Sequence, residues 1–447
     1  MKKIILSVNA GSSSVKISVY EAEAHGNPTQ LAEAQISGLT SPPPKLTYVR
    51  GGQTASKDEE LGGGGGGKKV GNQDDAFRII LSTLTEDPAL PQLASKDDVA
   101  IVCHRIVHGG DFRTAQVINE ATYHRLEELN DLAPLHNAPS LEIVKSCIAQ
   151  LPGAINVACF DSQFHASMPV HVRTYPIDQG IARKNGLRKY GFHGISYSFI
   201  TRSAAEFLGK DVRDVNLIAL HLGSGASACA IKGGKSWDTS MGLTPLAGLP
   251  GATRSGSIDP SLVFHYASDV GKLSPSSTKE LHISVAETIL NKESGWKALT
   301  GTTNFGTIAS SSDPKHQLAF DLFVDRVCGF VGSYYVTLRG QVDALVFAGG
   351  IGEKSDKLRR AVVDRCACLG FEVDLEKNAS RDPGETGKVV RDVGLAVHKD
   401  GRTHRVLVVQ TDEQFEMAHA AAQDPALWAD ELDEVPDLEL LRVKSGH

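Results

Sequence analysis

Apolar residues in this chain come in two rhythms. Short runs rich in valine and isoleucine, namely IILSV, VKISVY, VAIVCHR, INVACF, NLIALHL, ALVFAGG and VLVVQ, have the length and β-branched content of strands. Between them lie longer stretches whose apolar positions recur three and four apart, the spacing of one helix face. The clearest predicts a helix over 317–339, where Phe320, Phe323, Val324, Val327, Val331, Tyr334 and Leu338 form a stripe. Gly329 and Gly332 on that helix would let it approach a sheet closely. Strand signals alternating with helix signals predict an α/β fold.

The opening pattern IILSVNAGSSSVKISVY returns 212 residues later as NLIALHLGSGASACAI when Gly11 is matched to Gly223. Each copy reads as strand, tight turn of small residues, strand. Gly and Ser are common turn formers, so one repeat can be coincidence. If it is real, the fold is duplicated, with a cleft between its halves. Two stretches break the rhythm. Residues 40–73, from Pro42-Pro43-Pro44 through the glycines at 62–67 to Lys68 and Lys69, read as an exposed, partly mobile insertion. The acidic, proline-interrupted end from Asp424 onward reads as a surface appendage.

Composition narrows the function classes. The 447 residues carry 46 Lys and Arg against 53 Asp and Glu, a net charge of −7. Nothing in that balance attracts nucleic acid or an anionic membrane. No apolar run reaches the length of a membrane span, and the apolar stretch in MKKIILSVNAGSSS is too short for a secretory signal. A soluble, unprocessed protein is expected. The seven cysteines are odd in number and scattered, which suits a reducing cytoplasm, and Cys366 and Cys368 read as small core residues.

The chemistry starts with the turns. A Gly and Ser turn between two strands presents several backbone N–H groups at one point, a concavity that suits phosphate oxygens. In the first copy Ser12 and Ser14 belong to such a turn; in the second, His221, Leu222, Gly223, Ser224 and Gly225 do. The segment GGIGEKSDKLRRAV, with Gly350, Ile351, Gly352, Glu353 and Lys354, adds a strand-to-helix anion site. Neither the Rossmann nor the Walker A spacing is present, and no Gly-x-Ser-x-Gly elbow occurs. Arg105 ends an otherwise apolar strand, where it reads either as an ion pair across the sheet or as an anion receptor. Asp161 follows another apolar run, at the kind of strand end where α/β sheets bind ligands. His193 precedes a helical segment, where a cap or core contact is the simpler reading, and Arg254 lies in a loop between Gly251 and Gly256. The histidines lack zinc-ligand spacing. Together with the late Glu413, this set offers what phosphoryl transfer needs: amides and cations for spread negative charge, and oxygen ligands for Mg²⁺.

The motifs NAGSSSVK, HRIVHGG, LAPLHNAP, FDSQFHASMP, YGFHGISY, HLGSGAS, SMGLTPLAGLPGATRSGSIDP and GGIGEKS, in this order, resemble the acetate kinase family over about residues 4 to 416. The resemblance implies two duplicated actin-like ATPase domains, of ribonuclease H-like fold, around a central cleft. It implies reversible, Mg²⁺-dependent phosphoryl transfer from ATP to acetate. Asn9 and Glu413 match the metal positions and Lys16 a nucleotide-phosphate contact. Arg105 and Arg254 match the pair that holds the acetate carboxylate and the migrating phosphoryl group. His193 matches the transition-state stabiliser, and Asp161 an active-site carboxylate that orients acetate or the metal shell. Val107, Leu135, Phe192 and Pro245 match an apolar wall for the substrate methyl. The resemblance further implies a cytoplasmic homodimer, with a first domain of 1–163 plus 418–447 and a second of 164–417.

Departures from the family pattern gather on the nucleotide side. Ser224 stands where bacterial members have Asn, Ala252 where they have Gly, and Lys354 where they have Asn. Asn304, Phe305 and Gly306 replace an Asp-Phe-Arg run, so a cation for stacking on adenine is missing. Tyr197 replaces a His after YGFHG. Pyrophosphate or another donor is therefore the alternative to ATP, and propionate or butyrate the alternative to acetate. A non-enzymatic nucleotide switch would not need Arg105, Arg254 and His193 together.

Overall fold

The computed structural model describes residues 2–11, 13–62, 70–129, 134–266, 272–275, 277, 283–380, 389–395 and 404–429, with only the backbone of 134–136. The chain divides into two compact units, 1–163 with 412–447, and 164–411. The return to the first unit falls at Thr411/Asp412 rather than near 418, because the whole helix Glu413–Gln423 packs on strands of that unit.

Among the described residues the first unit holds one eight-stranded sheet. Its strands are β1 (Lys3–Ala10), β2 (Ser14–Ala22), β3 (Thr29–Ser37), β4 (Lys45–Arg50), β5 (Gln53–Glu60), β6 (Val99–Ile106), β7 (Gln116–Val117) and β8 (Ile155–Phe160), in the order β5-β4-β3-β2-β1-β6-β8-β7. β1 pairs antiparallel with β2, and parallel with β6, which pairs parallel with β8. Every residue of β8, INVACF, is buried, as expected of a parallel strand covered on both faces. Helices Gln73–Thr85 and Pro134–Gln150 pack over β1, β2, β3 and β6, and Phe77, Ile80 and Leu84 of the first are fully buried among Val15, Ile17 and Ile36.

The second unit repeats that plan in a six-stranded sheet. β9 (Leu217–Leu222), β10 (Ala226–Lys232), β11 (Lys235–Thr239), β12 (Ala344–Ala348), β13 (Val390–Asp392) and β14 (Arg405–Val409) run in the order β11-β10-β9-β12-β14-β13. β9 is antiparallel to β10 and parallel to β12, and β12 is parallel to β14. Both sheets close on a short antiparallel edge, β7 on β8 and β13 on β14. The repeated hairpin is therefore a true duplication, with β1-β2 matched by β9-β10.

The helix expected at 317–339 is Pro314–Thr337, and Phe323, Val324, Val327, Val331 and Tyr334 face the core. Gly329 and Gly332 do not serve a close approach: a Cβ on either would meet nothing within 4 Å. The segment 40–73 is also more ordered than a linker. β4 and β5 extend the sheet within it, with Leu46 and Tyr48 buried; residues 63–69 lie outside the described ones. The terminal appendage begins later than Asp424, since Leu427 is buried and Lys3 Nζ donates to its carbonyl at 2.9 Å. Cys366 is buried as expected, but Cys368 is exposed. No helix among the described residues is long and apolar enough to cross a membrane.

Candidate functional site

In the first unit, the C-terminal ends of three adjacent strands and one helix start converge on Arg105. Its guanidinium grips Asp161 as a fork, Nε to Oδ1 at 3.0 Å and Nη2 to Oδ2 at 2.8 Å. Nη1 reaches Asn9 Oδ1 at 3.4 Å, and Glu413 Oε2 lies 3.6 Å from Nε. Glu413 is delivered by the helix Glu413–Gln423, capped by Asp412 and fastened to β1 through Gln414 Nε2 to Ser7 O at 2.9 Å and Ser7 Oγ to Gln414 O at 2.7 Å. Burial opposes the Arg105 charge, but the fields of Asp161 and Glu413 outweigh it and hold the guanidinium above its ordinary pKa. The ion-pair reading of Arg105 and its placement at a strand end are thus both realised. Asp161 is nearly sealed, at 2% side-chain exposure, while a fifth of Arg105 is open.

Other residues proposed for this half are spread more widely. Lys16 stands opposite Asn9 in the β1–β2 register, but its amine is paired with Glu33 at 2.9 Å. Ser14 opens β2, where its carbonyl accepts from Gly11 N at 2.9 Å and closes the turn; Ser12 lies outside the described residues. Val107 is half-buried just beyond β6, and Leu135 lies in the helix Pro134–Gln150, its side chain outside the described ones.

The second unit carries a denser cluster. His193 sits at the start of helix Gly194–Leu208 in the left-handed region, φ 61, uncommon for a non-glycine residue. It does not cap the helix through its side chain. Its ring bonds Ser227 Oγ through Nδ1 at 2.8 Å and stacks on His221, centroids 4.2 Å apart. His221 Nδ1 in turn meets Ser196 Oγ at 2.7 Å. Gly225 lies close to both groups proposed for chemistry: a Cβ there would come within 3.1 Å of Arg254 Nη1 and 3.7 Å of His193 Nε2. Arg254 Nη1 also reaches Pro245 O at 3.5 Å. Phe192 and Pro245 are buried, and Phe192 O accepts from His165 Nε2 at 2.9 Å.

Beside this cluster opens a cavity of ≈ 500 Å³. Its lining includes Gly223, Ser224, Asn304, Phe305, Gly306, Gly350, Ile351 and Lys354, eight of the residues proposed from sequence for nucleotide binding. The hairpin and the glycine-rich helix Gly349–Lys354 meet tightly behind it, for a Cβ on Gly349, φ 73, would lie 2.8 Å from Leu222 O. Phe305 packs on Trp296 at 5.3 Å and Phe323 at 5.2 Å, so its ring belongs largely to the core. Glu353 turns toward a neighbouring cavity of ≈ 560 Å³, where Thr411 donates to its carboxylate and burial raises its pKa. Gly306, Lys354 and Asp356 line both cavities. Buried Gly352 offers its carbonyl to Arg359 at 2.8 Å.

The sequence matches the acetokinase family model over residues 4–419. The chain belongs to the acetokinase family. A Neurospora crassa protein named probable acetate kinase is 63% identical, the match covering 96% of this chain and 95% of that protein. Among solved structures, a propionate kinase from Francisella tularensis superposes with a TM-score of 0.78 at 31% identity, covering 94% of this chain and 98% of that one. The acetate kinase of Porphyromonas gingivalis gives 0.75 at 30% identity, with 93% and 98% covered. The mixed α/β fold with two sheets is the actin-like ATPase fold of these acetokinase relatives.

In the second unit, sequence reasoning named Tyr197 only as a departure from the family pattern and did not single out Ser227 or Arg359. Ser227 lies two residues beyond Gly225 in HLGSGAS, and Tyr197 four beyond His193 on the same helix face; only the fold shows that they meet. Arg359, fully wrapped by the carbonyls of Gly352, Glu353 and Asn378 and by Asn378 Oδ1, fixes the end of the glycine-rich helix. The run of cations in KLRR gave no hint that one of them is internal.

Proposed function

We propose that this chain transfers the γ-phosphoryl group of ATP to acetate, reversibly, giving acetyl phosphate and ADP. The observation that carries the reading is the placement of Arg254 Nη1 and His193 Nε2 together beside Gly225, on a hairpin that also lines the ≈ 500 Å³ cavity. Two donors there suit the charge that spreads over a transferring phosphoryl group. A carboxylate oxygen of acetate attacks phosphorus, the bond to the β-phosphate oxygen breaks, and ADP leaves. No proton has to move, because acetate is already ionised at neutral pH. Asp161 then needs no role as a base; it orients Arg105, which receives the carboxylate.

Mg²⁺ suits the residues around Arg105. Asn9 and Glu413 offer hard oxygen atoms, and their contacts with Arg105, at 3.4 and 3.6 Å, are long, whereas Asp161 is committed to its fork. Asn9 and Glu413 would hold the ion, which when bound neutralises phosphate charge. By resemblance to the family, Val107, Leu135, Phe192 and Pro245 are the positions that would receive the methyl group. One extra methylene shifts discrimination by only ~1–3 kcal/mol, so propionate is expected as a slower substrate. A cytoplasmic homodimer fits the family resemblance, and light scattering would check the dimer.

The test is an acetyl-hydroxamate assay with Mg²⁺, acetate, propionate or butyrate as acceptor, and ATP, GTP or pyrophosphate as donor. Product with ATP and acetate is expected. Product with pyrophosphate alone would overturn the donor, a preference for butyrate the acceptor, and no product in either direction the reaction.

A further inference from the structure

Tyr197 stands where the family pattern has a His, and the structure gives it a partner. Its phenol oxygen lies 2.6 Å from Ser227 Oγ, and the same Ser227 oxygen lies 2.8 Å from His193 Nδ1. His193 and Tyr197 are one helical turn apart, and Ser227 faces them from β10, opposite His221 in the β9–β10 register. Tyr197 and Ser227 are both fully buried, so no solvent takes a share in these bonds.

The direction of the protons follows from counting donors. The buried Tyr197 phenol must place its proton on an acceptor, and Ser227 Oγ lies at hydrogen-bond distance from it. Burial, the largest influence, raises the phenol well above its ordinary pKa, so it keeps its proton. That proton goes to Ser227 Oγ, its short-range neighbour. Ser227 has one proton of its own, and His193 Nδ1 is the acceptor at hydrogen-bond distance. A ring nitrogen that accepts leaves the other to carry the hydrogen in the neutral imidazole.

We propose that Tyr197 and Ser227 are positioning residues that hold His193 in the tautomer with its proton on Nε2, so that a neutral imidazole offers an N–H beside the Arg254 guanidinium. That nitrogen and Arg254 Nη1 both lie near Gly225, within 3.7 and 3.1 Å of where a Cβ on it would stand. A neutral donor there adds a hydrogen bond to the transferring group without a second full positive charge against the first. The left-handed backbone of His193 and the stack on His221 fix the ring plane that this requires. The assignment deepens the phosphoryl-transfer reading and rests on it.

The test uses the full chain labelled with ¹⁵N-histidine, without substrate, at pH 7.5. Long-range ¹H–¹⁵N correlation reports the protonation of each ring nitrogen, and the His193 signals are identified by their loss in His193→Asn. The expected spectrum has Nε2 protonated and Nδ1 bare. In Tyr197→Phe and Ser227→Ala the His193 pattern should change toward a tautomer mixture, while kcat falls about tenfold and KM for ATP stays within about twofold, the size of one hydrogen bond felt in the transition state. A His193 protonated on Nδ1 or on both nitrogens overturns the proposal, as does Tyr197→Phe with an unchanged spectrum and unchanged kcat. Should either variant fail to fold, the parent spectrum alone decides. The expected spectrum in a protein that makes no acetyl phosphate would support the tautomer assignment and count against the proposed reaction.

Discussion

Among single residues, Arg105 makes a two-pronged contact with Asp161 that only a guanidinium can complete. A lysine at 105 would keep the charge but satisfy only one Asp161 oxygen, leaving a nearly sealed carboxylate half-paired. Arg105→Lys should lower kcat by about 100-fold or more while the protein still folds, read by the hydroxamate assay alongside a melting curve. Near-parent turnover would remove Arg105 from the chemistry. Gly225→Ala probes the other half. Its backbone is not in the left-handed region, and the added Cβ would press on the end of a flexible side chain, 3.1 Å from Arg254 Nη1. The expected result is a fold stable to within about 1 kcal/mol of the parent and a kcat lowered about tenfold or more, because a small displacement of Arg254 is felt at the reacting group. Unchanged kinetics would show that Arg254 is not held at that spot. Arg105 and Asp161 stood out in the sequence as polar residues at the ends of apolar runs, whereas His193, before a helical segment, and Arg254, in a glycine-flanked loop, stood out through the family motifs. The pairing of Tyr197 with Ser227 did not, since a tyrosine on a helix face and a serine in a strand look like ordinary packing until two distant elements are brought together.

At the scale of elements, periodicity located the strands and the long helix but misread the reason for its glycines. Gly329 and Gly332 interrupt the helix Pro314–Thr337 while facing open space, so they cost helix propensity without gaining a close contact. Replacing each with alanine should stabilise the second unit by about 0.5–1 kcal/mol, the intrinsic helix difference between the two residues. Thermal melting of the single and double variants would check this, and a loss of stability would mean that the glycines are covered in solution. The hairpin repeat was legible because a turn of small residues is a local signal. The strands within 40–73 were obscured because proline and glycine dominate the flanks, and because β5 is almost wholly exposed and so carries no apolar alternation. Eight of the residues proposed for nucleotide binding line one cavity, yet the core role of Phe305 came only from its ring contacts with Trp296 and Phe323.

At the scale of the whole molecule, each unit buries a histidine whose protonation the fold opposes. His104, in β6, bonds Asn156 Oδ1 at 2.9 Å; His165 lies between Ser236 Oγ at 2.7 Å and Phe192 O at 2.9 Å. Burial, the leading cause in both, pushes each imidazole down to about 4. In the unfolded chain each returns to its ordinary value of about 6.5. Between those two values the unfolded state binds more protons than the folded one, so stability falls as the pH drops below about 6.5 and goes on falling until about 4. At 1.36 kcal/mol per pH unit, a histidine that moves from 6.5 to 5.0 costs about 2 kcal/mol, or roughly 4–8 °C in Tm for a unit of this size. An opposing influence sits in each unit, because burial raises the carboxyls of Asp412 and Glu353, and protonation of a raised carboxyl favours the folded state as pH falls. Glu353→Gln removes that opposition from the second unit and should steepen its acid loss, whereas the first unit keeps its parent slope. Calorimetric melting from pH 7.5 to 5.0 resolves the question: both units should lose Tm over this range, and a Tm that stays flat would mean that His104 and His165 are not held neutral by the fold.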